Sequence, residues 1–362
     1  MISPSIILNN NVDLVDFDGI RLFMFTDDNL YNIAIQEWRK HKALELHYLE
    51  VQNGKYPHSP LIQKTLPLEA RYALFHLANI LWQKEVGFHF LDVGAFVGTV
   101  GIKMAHYMRA NARPEHVFLF EPGKPFEILT FNIELNQIGD YATPFCCAIT
   151  TYNGVAQLSW RPDSMDAAQI RLEARTAIEN KSVLRKLTRI ASDPRTFLTP
   201  VKRRRLMEKL FAHSSMETRL VPCKTLPTII RELPNGKNLF IKLDIEGLDM
   251  LLVNDIYNMH AETLFFVTFE FTPSFFDDRS MAIEFLNKAA ALFDVYDIFY
   301  APNPAFVKRL LPAGLDAFVG TIEEERIHGY TDLLLIDKRV PDCADIADLL
   351  CNLLPGGLEY SL

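Results

Sequence analysis

The sequence predicts an α/β protein built on a doubly wound, mostly parallel sheet. From Phe88 onward, short apolar segments alternate with helical ones, and strands that are separated by helices run parallel. The first apolar segment breaks into a turn with two glycines and continues as a helix, a pattern that favours close backbone approach to a ligand. The predicted strands are FHFLDV, HVFLFE, ATPFCCAI, LFIKLDI and TLFFVTFEF.

The order of these predicted strands and helices divides the chain into three parts. Residues 1–85 predict an N-terminal α+β layer over the core, and residues 86–340 predict the Rossmann-like sheet domain. Residues 341–362 predict a C-terminal helix and tail. The segments behind these predictions are SIILNN and IRLFMFT as weak strands, LPLEARYALFHLANILWQK as a helix, DVYDIFY and TDLLLID as an antiparallel pair that closes the sheet, and DCADIADLLCNLL as the last helix.

Basic charge is concentrated in one segment. The chain carries a net charge of −8, which argues against a general nucleic-acid binder. Residues 161–220, however, hold 14 Lys/Arg against 7 Asp/Glu, with few strand signals. We therefore expect a basic helical insertion in the sheet domain. It is either a solvated face or a lid and docking surface for an anionic group, with residues 202–205 as its densest cluster.

The predicted location is the cytoplasm. The N-terminus lacks the features of a secretory signal, and no run approaches the roughly 20 apolar residues of a membrane span. The five cysteines form no CxxC pair, so we expect them to be reduced rather than bound to zinc or paired.

The glycine turn and two acids predict a nucleoside site. Gly94 and Gly98 follow the first strand, where open α/β sheets bind ligands. Asp92 ends that strand, and Glu121 ends the second, where a carboxylate can accept both ribose hydroxyls. The alternatives are a purely structural turn and a helix-capping role for Glu121 before Pro122.

The charge of the turn indicates which cofactor it takes. A dinucleotide fingerprint is GxGxxG, but this turn reads GAFVG with Phe96 in the middle, and Asp92 would repel a phosphate. S-adenosylmethionine carries an ammonium and a sulfonium and no phosphate, so an acid attracts it. The sequence therefore favours S-adenosyl-L-methionine.

A second set of charged residues lies in LFIKLDIEG. Lys242 and Asp244 face the same way because strand side chains alternate, and Glu246 and Gly247 follow. Buried charges are costly unless paired, so this set is either an internal Lys–Asp pair or a catalytic group. In the second case Asp244 or Glu246 accepts a hydroxyl proton while Lys242 orients the carboxylate or the substrate oxygen.

Glu270, on the next strand, is a secondary candidate for base or acceptor binding, with a cap before Pro273 as the alternative. Asp244, Glu246 and Glu270 could instead hold a hard cation, but no histidine pair or further acid cluster supports a metal, and we expect none.

Four blocks, in this order, resemble the FkbM family of S-adenosylmethionine-dependent methyltransferases across about Phe88 to Glu270. The blocks are FLDVGAFVGT, VFLFEPGKPFEILTFNIELNQI, VPCKTLPTII and FIKLDIEGLDMLLVND. The resemblance implies a class I Rossmann-like methyltransferase fold and O-methylation of a hydroxyl on a sugar, glycan or secondary metabolite.

The resemblance also implies site residues. Lys242, Asp244, Glu246 and Gly247 match the block beside the transferred methyl, and Ala148 falls where the adenine is bordered. The family commonly has Asn where this chain has Phe96. Together with the reasoning from the residues, the implied cofactor-binding positions are Asp92, Gly94, Ala95, Phe96, Gly98, Thr99, Glu121, Pro122, Asn132, Ala148 and Asp244. Asn132 and Asn136 match the asparagines of the helix that follows the second strand.

Two other functions stay open. A nucleic-acid methyltransferase would use the basic cluster, but the fourth-strand block is LDIEG rather than NPPY or DPPY, and nucleic acid is disfavoured as a partner. A catalytically silent module would keep the fold and bind a protein. The acceptor, anionic or neutral, and a homo-oligomeric state are left undecided by the sequence.

Overall fold

A computed structural model gives the fold. The residues described are 12–17, 20–25, 70–161, 164–171, 217–234, 238–245, 248–261, 263–298, 308–325, 330–341 and 346. Several predicted features lie outside them: SIILNN, the cluster at 202–205, Glu246, Gly247 and all of DCADIADLLCNLL except Ile346.

The strands and helices occur in the following order. The strands are β1 Val12–Phe17, β2 Ile20–Phe25, β3 Phe88–Val93, β4 Val117–Phe120, β5 Ala142–Phe145, β6 Ala148–Thr150, β7 Gly154–Arg161, β8 Ser164–Arg171, β9 Glu217–Thr225, β10 Asn238–Leu243, β11 Phe265–Phe271, β12 Phe293–Asp297, β13 Lys308–Leu310 and β14 Thr331–Asp337. The helices are α1 Ala70–Gln83, α2 Gly101–Ala110, α3 Pro125–Leu135, α4 Leu226–Glu232, α5 Asp249–Met259, α6 Arg279–Leu292 and α7 Leu315–Glu325.

The main sheet has eight strands in the order β13-β12-β14-β11-β10-β3-β4-β5. From β11 to β5 all neighbours pair in parallel, because each connection passes through a helix. β14 runs antiparallel between β11 and β12. The prediction of a mostly parallel, Rossmann-like sheet with an antiparallel strand near the C-terminus is confirmed.

Helices cover both faces of this sheet, which makes it doubly wound. One face packs its large apolar side chains, such as Phe90 and Phe240, against α1, α2 and α3. The other face packs side chains such as Leu91 and Val267 against α4, α5, α6 and α7. Strands buried on both faces read as continuous apolar runs, which is why they were identifiable in the sequence.

A second sheet of four strands, in the order β6-β9-β7-β8, was not predicted. The expected strand ATPFCCAI is two strands, because β5 ends the main sheet at Phe145 and β6 pairs with β9 in the second sheet. The expected helical insertion is wrong where it can be compared. Arg161, 164–171 and 217–220 are strand residues held by antiparallel pairing of β7 with β8 and β9, a non-local contact that overrides their local helix preference. Residues 172–216 lie outside the described part of the chain.

The N-terminal layer is partly described. IRLFMFT contains β2, which forms a hairpin with β1, and LPLEARYALFHLANILWQK contains α1. Within the described ranges, no helix is both long enough and apolar enough to cross a membrane.

Candidate functional site

The strand order reverses between β3 and β10, and this switch point defines the site. From β3 the chain moves outward to β4 and β5, whereas β10 leads to β11 on the opposite side. Open α/β sheets bind ligands in the crevice that such a reversal leaves at the carboxyl ends of the strands. The turn after β3 and the residues at the end of β10 meet at this place.

The turn after β3 adopts the conformation that its glycines allow. Gly94 and Gly98 have φ values of +80° and +92°, and Phe96 between them has +52°. A Cβ on Gly94 would lie 2.0 Å from the carbonyl oxygen of Asp244, so the turn runs directly against the end of β10. The amides of Gly94 and Ala95 donate to the Phe120 carbonyl, each at 3.0 Å, which ties the turn to β4 as well.

Glu121 joins the turn to the second strand. Its carboxylate accepts hydrogen bonds from the backbone N–H groups of Phe96 at 3.0 Å and Gly123 at 2.7 Å. Burial raises the pKa of Glu121 to about 7, although these two bonds oppose the shift. A carboxylate has about four lone-pair positions, so two remain for a ligand's hydroxyl groups.

Lys242 lies between two carboxylates. Its Nζ is 3.1 Å from Oδ1 of Asp92 and 3.1 Å from Oδ2 of Asp244. The other oxygen of Asp92 accepts a 2.8 Å bond from the N–H of Gly101 at the start of α2. Asp92 is fully buried, whereas the Asp244 side chain is 51% exposed. The buried half of this network therefore holds the fold together, and the exposed half faces the edge.

Glu270 lies beside this network. The register that pairs Lys242 with Thr268 brings Glu270, two residues further on, next to Asp244. Glu270 is the penultimate residue of β11, and it accepts a 2.8 Å bond from the Thr272 hydroxyl. Burial first, and then the nearby Asp249 and Asp244 carboxylates, raise the pKa of Glu270 to about 7.

Asp249 was missed by the sequence reasoning. It is fully buried in the first turn of α5 and accepts a 3.2 Å bond from the N–H of Ile245. Its position two residues after the LDIEG block, at the beginning of a helix, was the signal that could have identified it.

Two other predicted residues, Asn132 and Ala148, contact neighbouring parts of the chain. The amide of Asn132 bonds to Phe23 and Val97, and buried Ala148 pairs with Cys223 in the second sheet. Thr99 and Pro122 are half-buried. The cofactor-binding roles of all these residues remain predictions.

The described residues contain no group of three or more His, Cys, Asp or Glu side chains placed to hold a metal ion. Glu246, one of the three acids considered for a cation, lies outside this part of the chain.

Comparison with known proteins gives little further information. No family profile matches the chain, and no curated protein matches it. Among solved structures, the methyltransferase FkbM from Methylobacillus flagellatus KT is similar at 11% identity and a TM-score of 0.33, over 69% of this chain and 43% of that one. The precorrin 8W decarboxylase from Methanobacterium thermoautotrophicum is similar at 10% identity and a TM-score of 0.30, over 72% and 88% of the two chains. This chain thus spans less than half of the first protein, and both likenesses are too distant to assign an activity.

Proposed function

We propose that the protein is an S-adenosylmethionine-dependent O-methyltransferase. One observation carries the proposal: at the switch point, the glycine turn abuts Asp244, and the surrounding side chains are mainly acidic. A phosphate-bearing dinucleotide would be repelled there, whereas a cofactor with a sulfonium and an ammonium would be attracted.

The residues present fit that cofactor. Glu121 has lone pairs left for ribose hydroxyls, and Gly94 lets the turn pack directly against the end of β10, beside Asp244. Asp244, Glu270 and Lys242 lie at the edge where the acceptor would meet the cofactor. S-adenosylmethionine would supply an electrophilic methyl group, and the protein's own residues would bind and deprotonate the acceptor.

The proton has a defined destination in this proposal. Asp244 is paired with Lys242, so the pair would hold and orient the acceptor hydroxyl. Glu270 makes its 2.8 Å bond to a neutral hydroxyl, and its pKa of about 7 suits a general base near neutral pH. Glu270 would take the hydroxyl proton as the new carbon–oxygen bond forms, and orientation would supply much of the acceleration.

The same acids favour a neutral acceptor, such as the hydroxyl of a sugar, glycan or secondary metabolite. Asp244, Glu270 and Asp249 outweigh Lys242, which already lies between two carboxylates. An anionic acceptor would need compensating contacts with basic side chains outside this set, such as those of residues 161–220.

A direct test combines binding and transfer. We expect the protein to bind S-adenosylmethionine by isothermal titration calorimetry and not NAD. With labelled cofactor, it should transfer methyl groups to a neutral component of a glycan and metabolite extract. Glu270→Gln should keep cofactor binding and lose about 10²–10⁴-fold in turnover.

The exposed Asp140, in the loop before β5, provides a control: Asp140→Asn should change neither property. Binding of NAD in place of S-adenosylmethionine would overturn the proposal. Absence of any cofactor binding would favour a silent module instead.

A further inference from the structure

We propose that Asn132 positions the cofactor turn and, through the same side chain, couples that turn to Phe23 in the N-terminal hairpin β1–β2. The inference rests on the proposed function, because it assumes that the turn binds S-adenosylmethionine. It differs from the sequence-based expectation that Asn132 itself contacts the cofactor.

The side-chain amide of Asn132 makes three hydrogen bonds. Oδ1 accepts from the Phe23 N–H at 2.7 Å, and Nδ2 donates to the Phe23 carbonyl at 3.1 Å and to the Val97 carbonyl at 2.9 Å. The residue is fully buried. A primary amide has two N–H donors, and both of these are used. One side chain thus joins β2 to the middle of the glycine turn.

Asn136 provides an internal comparison. One helical turn after Asn132, it lies on the same side of α3 and pairs with the backbone of Arg21 as Asn132 pairs with Phe23. The other hydrogen bond of its side-chain amide goes to the Asn132 carbonyl at 2.7 Å, not to the turn. Both asparagines therefore hold the hairpin on α3, but of the two only Asn132 has a hydrogen bond to the turn.

The turn requires such support because its backbone is unusual. Val97 lies between Phe96 and Gly98, whose φ values are both positive, and a phenylalanine rarely adopts this conformation. Glu121 holds the Phe96 N–H from one side at 3.0 Å, and Asn132 holds the Val97 carbonyl from the other. These two bonds preorganise the turn, and a preorganised site loses less conformational freedom when a ligand binds.

The first experiment compares Asn132→Ala with Asn136→Ala in the full-length protein. Both variants should lower the urea midpoint, since both release a backbone pair of β2. Asn132→Ala should also weaken S-adenosylmethionine binding by about tenfold or more, while Asn136→Ala should bind within about twofold of the wild type. Equal affinities for Asn132→Ala and the wild type, or equal losses in the two variants, would refute the inference.

A second measurement needs no variant. If the hairpin and the turn are coupled, cofactor binding must stabilise the hairpin in return. Hydrogen exchange at the Phe23 amide should therefore slow when S-adenosylmethionine is added, and more than at the Arg21 amide. Unchanged exchange at Phe23 in a protein that binds the cofactor would contradict the coupling. A wild type that binds no cofactor would refute the proposed function itself.

Discussion

Glu121 and Glu270 have the same raised pKa, about 7, and burial is the first cause in both. The two carboxyl groups nevertheless differ in their hydrogen-bond partners. Glu121 accepts two backbone N–H groups, so its carboxylate is fixed to the turn. Glu270 accepts a bond from one hydroxyl and lies beside the exposed Asp244. In the proposed function, Glu121 would therefore hold the turn and Glu270 would exchange the proton.

The pH dependence of methyl transfer tests this distinction. Because the Glu270 pKa is about 7, its carboxyl group is mostly protonated below that pH and cannot accept a proton. The rate at saturating cofactor should rise as pH increases through about 7 and then level off. Glu270→Gln should be slower and lose this rise. An unchanged pH profile in the variant would assign the base to another group.

Gly94 allows a second test at this scale. Gly94→Ala should destabilise the fold by about 2 kcal/mol or more, because a left-handed φ is strained for alanine and its Cβ would meet the Asp244 carbonyl oxygen. Gly139→Ala is the matched control, since nothing lies within 4 Å of a Cβ there. Urea unfolding measures both variants. Equal midpoints would show that the turn can move away from β10.

Among the secondary-structure elements, those that the sequence predicts are the ones whose residues carry a local apolar pattern. β3, β4, β10 and β11 were identifiable as apolar runs, and the glycine turn followed from the break after the first of them. The second sheet was not, because β8 reads SMDAAQIR, where the alternation of polar and apolar residues breaks between Ala167 and Ala168 and no apolar run occurs. Its strand conformation depends on pairing with β7, and such non-local contacts leave no periodic signal.

The candidate site shows the same contrast between local pattern and long-range contacts. The alternation of strand side chains predicted that Lys242 and Asp244 face the same way, and the two are 3.1 Å apart. No spacing rule could predict that Asn132 would bond to Phe23, 109 positions away. Pairs within one strand can be derived from the sequence, whereas contacts between distant elements need the fold.

The Lys242–Asp92 pair links β10, β3 and α2, so its removal should destabilise the whole fold rather than one local contact. Lys242→Met should cost about 3–5 kcal/mol, because it leaves Asp92 as a buried charge without its cation. Lys224→Met is the control. The Lys224–Glu232 pair is closer, at 2.6 Å against 3.1 Å, but both side chains are exposed, so the urea midpoint should not change measurably. Similar midpoints for the two variants would mean that Asp92 finds another partner.

At the scale of the whole molecule, the two ends of the main sheet have different roles. The carboxyl ends of β3 and β10 carry the candidate site. The amino end of β11 carries a buried cluster around Asp337, which receives bonds from Arg339 at 2.7 Å and from the Phe265 N–H at 3.3 Å. His260 Nε2 lies 3.1 Å from the same carboxylate. This cluster joins the last strand to α5 and β11, and it supports the fold.

Because the candidate site and the Asp337 cluster lie apart, substitutions at Asp337 and Asp244 should have opposite effects on stability and cofactor affinity. Burial alone would raise the pKa of Asp337, but the bonds from Arg339 and the neighbouring His260 lower it, so the ionised carboxylate stabilises the folded state. This stability is present above the ordinary aspartate pKa and is lost as pH falls through the lowered value. Asp337→Ala should therefore cost about 3 kcal/mol or more at neutral pH.

The affinity of Asp337→Ala for S-adenosylmethionine should equal that of the wild type. The Asp337 cluster lies at the amino end of β11, whereas the glycine turn lies at the carboxyl end of β3. Asp244→Asn should behave in the reverse way, because the Asp244 side chain is half exposed and lies at the site edge. Asp244→Asn should keep the unfolding midpoint and lose cofactor affinity, because it removes part of the negative charge that would attract the cofactor's sulfonium and ammonium. Urea unfolding and calorimetry on both variants measure the two properties separately. Loss of affinity in Asp337→Ala under conditions where it is fully folded would show that the two ends of the sheet are coupled.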